Sequence, residues 1–169
     1  MNLFTPTFET LRDLYINELR DLYSAENQLV DALPKMAEAA STWELKEAFN
    51  NHLAETRVHV QRLEQILQSL SEKPSGKTCD AMKGLIKEGE SYVKADGNDS
   101  VRDAGLIGAA QRVEHYEIAG YGTARALAQQ VGDLEAVVIL QSTLDEESAA
   151  NELLTKIAES WVNPAAALS

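Results

Sequence analysis

Apolar residues recur along most of the chain at three- and four-residue steps, the spacing of one face of an α-helix. The first such run starts near Thr7 or Thr10 and extends to about Ala40, with Leu11, Tyr15, Leu22, Leu29, Leu33 and Met36 on one stripe. Pro34 is expected to kink or interrupt it. A second run begins after the cap-like pair Ser41 and Thr42 and carries Leu45, Phe49, Leu53, Val60, Leu63, Leu67 and Leu70. The stretch "SEKPSGKT" reads as a loop, a short amphipathic helix with Met82, Leu85, Ile86 and Val93 follows, and "ADGNDS" breaks the chain again. A third long run goes from about Val101 to Val131 and stops at Gly132. A fourth, from Asp133 to Trp161, carries Val137, Leu140, Leu144, Leu154 and Trp161. Pro164 and the small residues after it predict a frayed tail.

The expected helices are thus about 7–40, 43–71, 80–94, 101–131 and 133–161. The first two long helices are separated by only a few residues, as are the last two, so each pair is expected to form an antiparallel hairpin. The connection between the pairs is long and holds its own short helix. Two antiparallel hairpins joined by such a crossover give an all-α fold, the ferritin-like four-helix bundle. A chain of 169 residues suits one domain, 1–169, with a core of useful size.

Acidic residues interrupt the apolar stripes. With roughly 100° between successive residues, Glu26 falls among Leu22, Leu29, Tyr15 and Leu33. In the third long helix, Glu117 falls among Leu106, Ala110, Val113, Tyr121 and Ala124, with Glu114 one turn earlier on the flank. In the fourth, Glu147 and Asn151 lie between Leu140, Leu144, Leu154 and Ala158, while Glu146 points away. The second long helix is less tidy: His52, Thr56 and His59 lie on its stripe, and Glu55 is at the edge. A single inward Glu is ordinarily a paired or snorkelling residue. Four helices that each aim ionisable groups at one core are harder to explain so, because uncompensated buried carboxylates repel one another and cost several kcal/mol each, by order of magnitude. Arg57, Arg112 and Arg125 fall outward or lateral. Shared protons or bound cations remain. A Glu/His donor set without Cys suits iron or manganese better than structural zinc.

The usual di-iron bundle takes one Glu from each of two helices and a Glu-x-x-His pair from each of the others. This chain departs from that pattern. It offers "HLAETRVH", with His52, Glu55 and His59, and "EESAAN", with Asn151 where an imidazole is expected. It adds a carboxylate in Glu114-x-x-Glu117. The predicted site is oxygen-rich.

The segments "DLYSAENQLVDALPKMAEAA", "HLAET", "RDAGLIGAAQRVEHYEIAGYG" and "TLDEE" resemble the YciF-type bacterial stress proteins, a ferritin-like family, in order and over nearly the whole chain. The pair of Glu residues in the third long helix also resembles rubrerythrin. The resemblance implies a homodimer linked to stress responses. It implies Glu26, Glu55, Glu114, Glu117 and Glu147 as metal ligands, with His52 as the preferred imidazole and His59 as the second choice. Two iron ions, or manganese, are the implied cofactors, with oxidation of Fe(II) by oxygen or peroxide as the implied chemistry. With no His on the last helix, rubrerythrin-like peroxidase chemistry does not carry over. A bundle that keeps the fold but has lost catalysis, and a storage cage, are the competing readings.

Other residues add little. Tyr23 and Tyr121, one turn from Glu26 and Glu117, suit either donors that orient a carboxylate or core packing. His115 turns away from Glu114 and reads as a surface residue. Cys79, the sole cysteine, lacks a motif partner and excludes an intrachain disulfide, in keeping with a cytoplasmic protein. The formal net charge of -12 repels phosphate backbones and argues against nucleic acid. No stretch is apolar for long enough to span a bilayer, and residues 1–15 show no signal peptide.

Overall fold

The computed structural model describes residues 7–169; residues 1–6, part of the stretch expected to show no signal peptide, lie outside them. Six α-helices follow one another: α1 (Leu11–Ala39), α2 (Trp43–Ser69), α3 (Asp80–Val93), α4 (Asp99–Val131), α5 (Leu134–Ile157) and α6 (Asn163–Ala166), with a π-helical turn, Ala158–Val162, between the last two. Thr10 starts α1 with a reciprocal cap: its hydroxyl accepts from Asp13 N at 3.2 Å and Asp13 Oδ2 accepts from Thr10 N at 2.9 Å.

Helix α1 runs unbroken through Pro34. The proline sits on the exposed face, where water can satisfy the carbonyl that loses its partner, so the expected interruption does not occur. The predicted Ser–Thr cap of α2 is also different. The Thr42 side chain makes no capping bond. Asp103, fully buried on α4, reaches across and accepts from Ser41 N at 2.9 Å, Ser41 Oγ at 2.7 Å and Thr42 N at 2.9 Å. Cys79 is more specialised than expected: its thiol caps α3 by accepting from Met82 N at 3.4 Å. The C-terminal tail is helical to Ala166 instead of frayed, and Val162 within the π turn is fully buried. Leu11 and Trp161, placed on the apolar stripes, are half exposed near helix ends.

The four long helices form a ring in which α1 neighbours α2 and α4, and α5 neighbours α2 and α4, while α3 lies across α1 and α4. Gly132, at φ 81°, closes α4 in a left-handed conformation that permits the short turn into α5. Gly105 leaves room for the Tyr92 ring: a Cβ there would stand 2.4 Å from Tyr92 Cδ1. This close approach seats the crossover helix on the bundle.

The apolar core comes in two parts. One is built on Leu29, Leu33, Leu45, Phe49, Leu106 and Leu154, the other on Tyr15, Leu19, Leu63, Leu67, Tyr121 and Leu140. Between them, at mid-length of every long helix, lie the buried polar residues Glu26, His52, Thr56, His59, Glu114, Glu117, Thr143 and Glu147. A polar layer thus cuts the bundle core across its middle.

Candidate metal centre

Each long helix contributes to this layer because one turn of its inward stripe is ionisable where the turns above and below are apolar. Helix α1 brings Glu26, α2 brings His52 and His59 nearly two turns apart, α4 brings Glu114 and Glu117, and α5 brings Glu147. Glu26, Glu117 and Glu147 have no exposed surface, and Glu114 almost none.

Two groups of donors emerge. His52, Glu114, Glu117 and Glu147 each place a ligand-type atom within 4.8 Å of the others, and so do Glu26, His59 and Glu147. Glu147 belongs to both. His52 Nε2 is 3.3 Å from Glu114 Oε1 and 3.7 Å from Glu147 Oε2. His59 Nδ1 is 2.9 Å from Glu147 Oε1 and 3.4 Å from Glu26 Oε1. The partners of Glu26, Glu114 and Glu147 across these gaps are imidazoles, not guanidinium groups. Arg62 binds Glu146 instead, Nη2 to Oε1 at 3.0 Å, and donates to Thr143 Oγ1 at 3.0 Å.

Most of the polar atoms in this layer are not hydrogen-bonded. Both oxygens of Glu117, both of Glu147, one each of Glu26 and Glu114, both nitrogens of His52 and Nδ1 of His59 are buried without a partner. Orphaned buried polar atoms are rare in folded proteins and call for a specific account. Electrostatics follows the same pattern. Burial drives the carboxyls of Glu114 and Glu117 well above the ordinary range; the other carboxylates of the layer reinforce this at Glu117, while His52 opposes it at Glu114. Burial also raises Glu26, against His59. Burial alone would depress His52 and His59, but the carboxylates facing them win and lift the imidazoles to about 9 and about 10. For Glu147, burial is outweighed by both imidazoles, and its carboxyl is held low. Without cations, protons are what let these groups coexist. The same donors, all oxygen or imidazole nitrogen and already converged, fit a pair of divalent cations.

Of the residues singled out in the sequence, Glu26, His52, Glu114, Glu117 and Glu147 meet in the layer. His59, the second choice, is as deeply placed as any of them. Glu55 is not inside. Its side chain is 49% exposed and its Oε2 stands 3.6 Å from His52 Nδ1, on the outer side of the imidazole. Tyr121 is fully buried and donates to Glu26 Oε1, and burial keeps its hydroxyl protonated far above the ordinary range. Tyr23 faces away and donates to Glu64 Oε1 at 2.9 Å. Asn151 accepts from Gln111 Nε2 at 3.2 Å. His115 is exposed, as expected. Glu146, read as pointing away, touches His59 Nε2 at 2.8 Å from the flank. A hint was present: Arg62 follows His59 by three residues, so the two share a face of α2 on which an acid can be received.

An all-helical bundle with one long crossover and a layer of carboxylates and imidazoles through its core is ferritin-like. The chain belongs to the DUF892 family, described as a domain of unknown function, which matches residues 10–167. Protein YciF of Escherichia coli (strain K12) is 46% identical over 156 residues, which is 92% of this chain and 94% of that protein. The crystal structure of this E. coli stress protein superposes with a TM-score of 0.89 at 44% identity, covering 92% of this chain and 99% of that one. YcfI from Rhodopseudomonas palustris gives 0.87 at 42% identity over 92% and 99% of the two chains. Ferritin-like, diiron-carboxylate proteins from Bacillus anthracis str. Ames give 0.69 at 16% identity over 89% and 99%, a likeness of fold. No helix among the described residues is long and apolar enough to cross a membrane.

Proposed function

We propose that the chain binds two divalent cations, iron or manganese, at the polar layer, with His52, Glu114 and Glu117 on one, Glu26 and His59 on the other, and Glu147 between them. The observation that carries this reading is the sharing of Glu147 by two groups of buried, unpartnered donors. Carboxylate is the side chain able to bridge, having two oxygens, and Glu147 presents one towards each imidazole. When bound as Fe(II), the pair would supply two electrons, enough to reduce one hydrogen peroxide to two waters with two protons taken up. The chain's own part is to fix the donors, exclude bulk water with the apolar layers on either side, and hold Glu26 through the Tyr121 hydroxyl. The family resemblance extends the reading to a cytoplasmic homodimer that acts in bacterial stress responses. The acidic surface keeps nucleic acid away.

Metal analysis tests the centre. Protein purified without chelator and loaded anaerobically with Fe(II) or Mn(II) is expected to retain about two ions per chain, and Glu117→Ala to retain fewer. A content well below one ion per chain in the unsubstituted protein overturns the reading.

One observation favours a second reading, a bundle that keeps the fold as a structural or interaction protein with a degenerate site. Asn151, where an imidazole would complete α5, is engaged by Gln111. Under that reading the layer is held by protons alone, and loading with metal leaves thermal stability unchanged.

A further inference from the structure

We infer that a pocket between α2 and α5 is the route by which divalent cations reach the polar layer, with Glu55 as the residue that receives them at its mouth. The inference rests on the proposed metal centre. The pocket has a volume of about 240 Å³ and its lining includes His52 and Glu114, so it ends on the donor cluster itself. On the α5 side the small Ala149 and Ala150 lie between Glu146 and the bulkier Leu153, while the α2 side carries Asn51, His52 and Glu55 together with Phe49. From Glu55 and His52 of α2 inward to Glu114 of α4, exposure falls from 49% to 7% to 2%. The contacts follow the same order: Glu55 Oε2 is 3.6 Å from His52 Nδ1, and His52 Nε2 is 3.3 Å from Glu114 Oε1.

His52 is the second, independent observation. It is buried, both of its nitrogens lack a hydrogen-bond partner, and it forms part of the pocket lining. A carboxylate at the mouth of an acidic cleft with low-dielectric walls raises the local concentration of cations and the rate at which they enter. The alanines leave the width that a bulkier wall would close. The route also explains why Glu55 lies close to the centre yet outside both donor groups. Its place suits transient capture rather than a resident ligand.

Stopped-flow loading of the metal-free protein with Co(II), read by the visible absorption of the bound ion and followed by end-point metal analysis, tests this. Glu55→Gln, at an exposed position, and Ala150→Leu, which fills the pocket, are each expected to slow loading about tenfold. Both should reach the same final Co(II) content and spectrum as the unsubstituted chain, and Ala150→Ser should load at the original rate. Unchanged rates in the first two variants, or slowing by Ala150→Ser, overturn the route and leave the centre standing. A Glu55→Gln variant with a lower end-point content or an altered spectrum makes Glu55 a ligand and also overturns it. An unsubstituted chain that takes up no Co(II) removes the centre and the route together.

Discussion

His59 Nδ1 stands 2.9 Å from Oε1 of Glu147, the residue shared by the two donor groups of the core. The other ring nitrogen of His59 is 2.8 Å from Glu146, which Arg62 holds in turn. A chain of alternating charge therefore runs from the flank of the bundle to the carboxylate at its centre.

That chain predicts a positioning role for Glu146. With its partner gone, the His59 ring loses the contact that fixes which nitrogen faces Glu147. Glu146→Ala is expected to weaken cation binding about 10–100-fold, the usual cost of losing the partner of a ligand. It should leave the number of ions at saturation unchanged. Isothermal titration with Mn(II) measures both quantities, and a lower stoichiometry at unchanged affinity contradicts this role.

The metal-free protein should lose stability as pH rises from about 6.5 to about 10. His52 and His59 ordinarily titrate near 6.5, and the folded core lifts them to about 9 and about 10. Between those values the native state binds more protons than the unfolded chain, so stability falls with rising pH, by a few kcal/mol in order of magnitude. Glu114 and Glu117, held above the ordinary range, act in the same direction at lower pH. The depressed carboxyls of Glu146 and Glu147 oppose this only at the acid end, where their contribution is lost as pH falls. Urea unfolding at pH 6.5 and 9.5 in the presence of chelator measures the slope. Saturating Mn(II) should flatten it, because ligation requires neutral imidazoles and ionised carboxylates.

Glu117 separates stability from binding. Both of its oxygens are buried without a partner. Removing a buried polar group that has no partner relieves its desolvation cost, about 1–3 kcal/mol. Metal-free Glu117→Leu is therefore expected to melt at or above the temperature of the unsubstituted chain, and to gain less stability on metal loading. A variant that is less stable without metal shows that Glu117 has a structural partner in solution.

Much of this layer was legible in the sequence because helical periodicity fixes which residues share a face. Glu26, Glu117 and Glu147 fall on the apolar stripes, Glu114 falls on the flank of one, and all four are buried. The second helix was harder. His52, Glu55 and His59 lie within a narrow arc, and which of them turns inward depends on how α2 rolls against α5, a tertiary quantity that a single helix does not encode. The structure buries both imidazoles and leaves Glu55 at the rim. Glu146 was missed for a related reason: its backbone faces outward, but its side chain is long enough to reach His59 on the neighbouring helix. Asp103 could have been found. It lies three and seven residues before Leu106 and Ala110, on the same stripe as Glu117, and its partners are backbone amides that periodicity does not reveal.

Asp103 is expected to matter for folding and not for metal. It holds two backbone amides and a hydroxyl at the start of α2, from a fully buried position. Losing a helix cap costs about 0.5–2 kcal/mol, and stranding buried donors adds about 1–3 kcal/mol. Asp103→Ala should thus lower the unfolding free energy by about 2–4 kcal/mol, with metal content per folded chain unchanged. Asp103→Asn, which keeps an acceptor oxygen, should lose less. Equal losses in the two variants would point to charge rather than capping as the cause.

The crossover helix offers a last test, because its seat depends on one missing methyl group. A Cβ at position 105 would stand 2.4 Å from Cδ1 and 3.0 Å from Cε1 of Tyr92, distances at which the ring must move. Tyr92 is part-buried and packs against the core from the end of α3, so the least costly response is for the ring to lift and loosen that helix. The four long helices do not depend on this contact. Gly105→Ala is expected to destabilise the protein by about 1–3 kcal/mol, the usual range for overpacking. The loss should be local, with faster amide exchange in α3 and little change in α1, α2 or α5. Tyr92→Ala should relieve the clash, so the double variant should be little less stable than Tyr92→Ala alone, and additive losses would place the strain elsewhere.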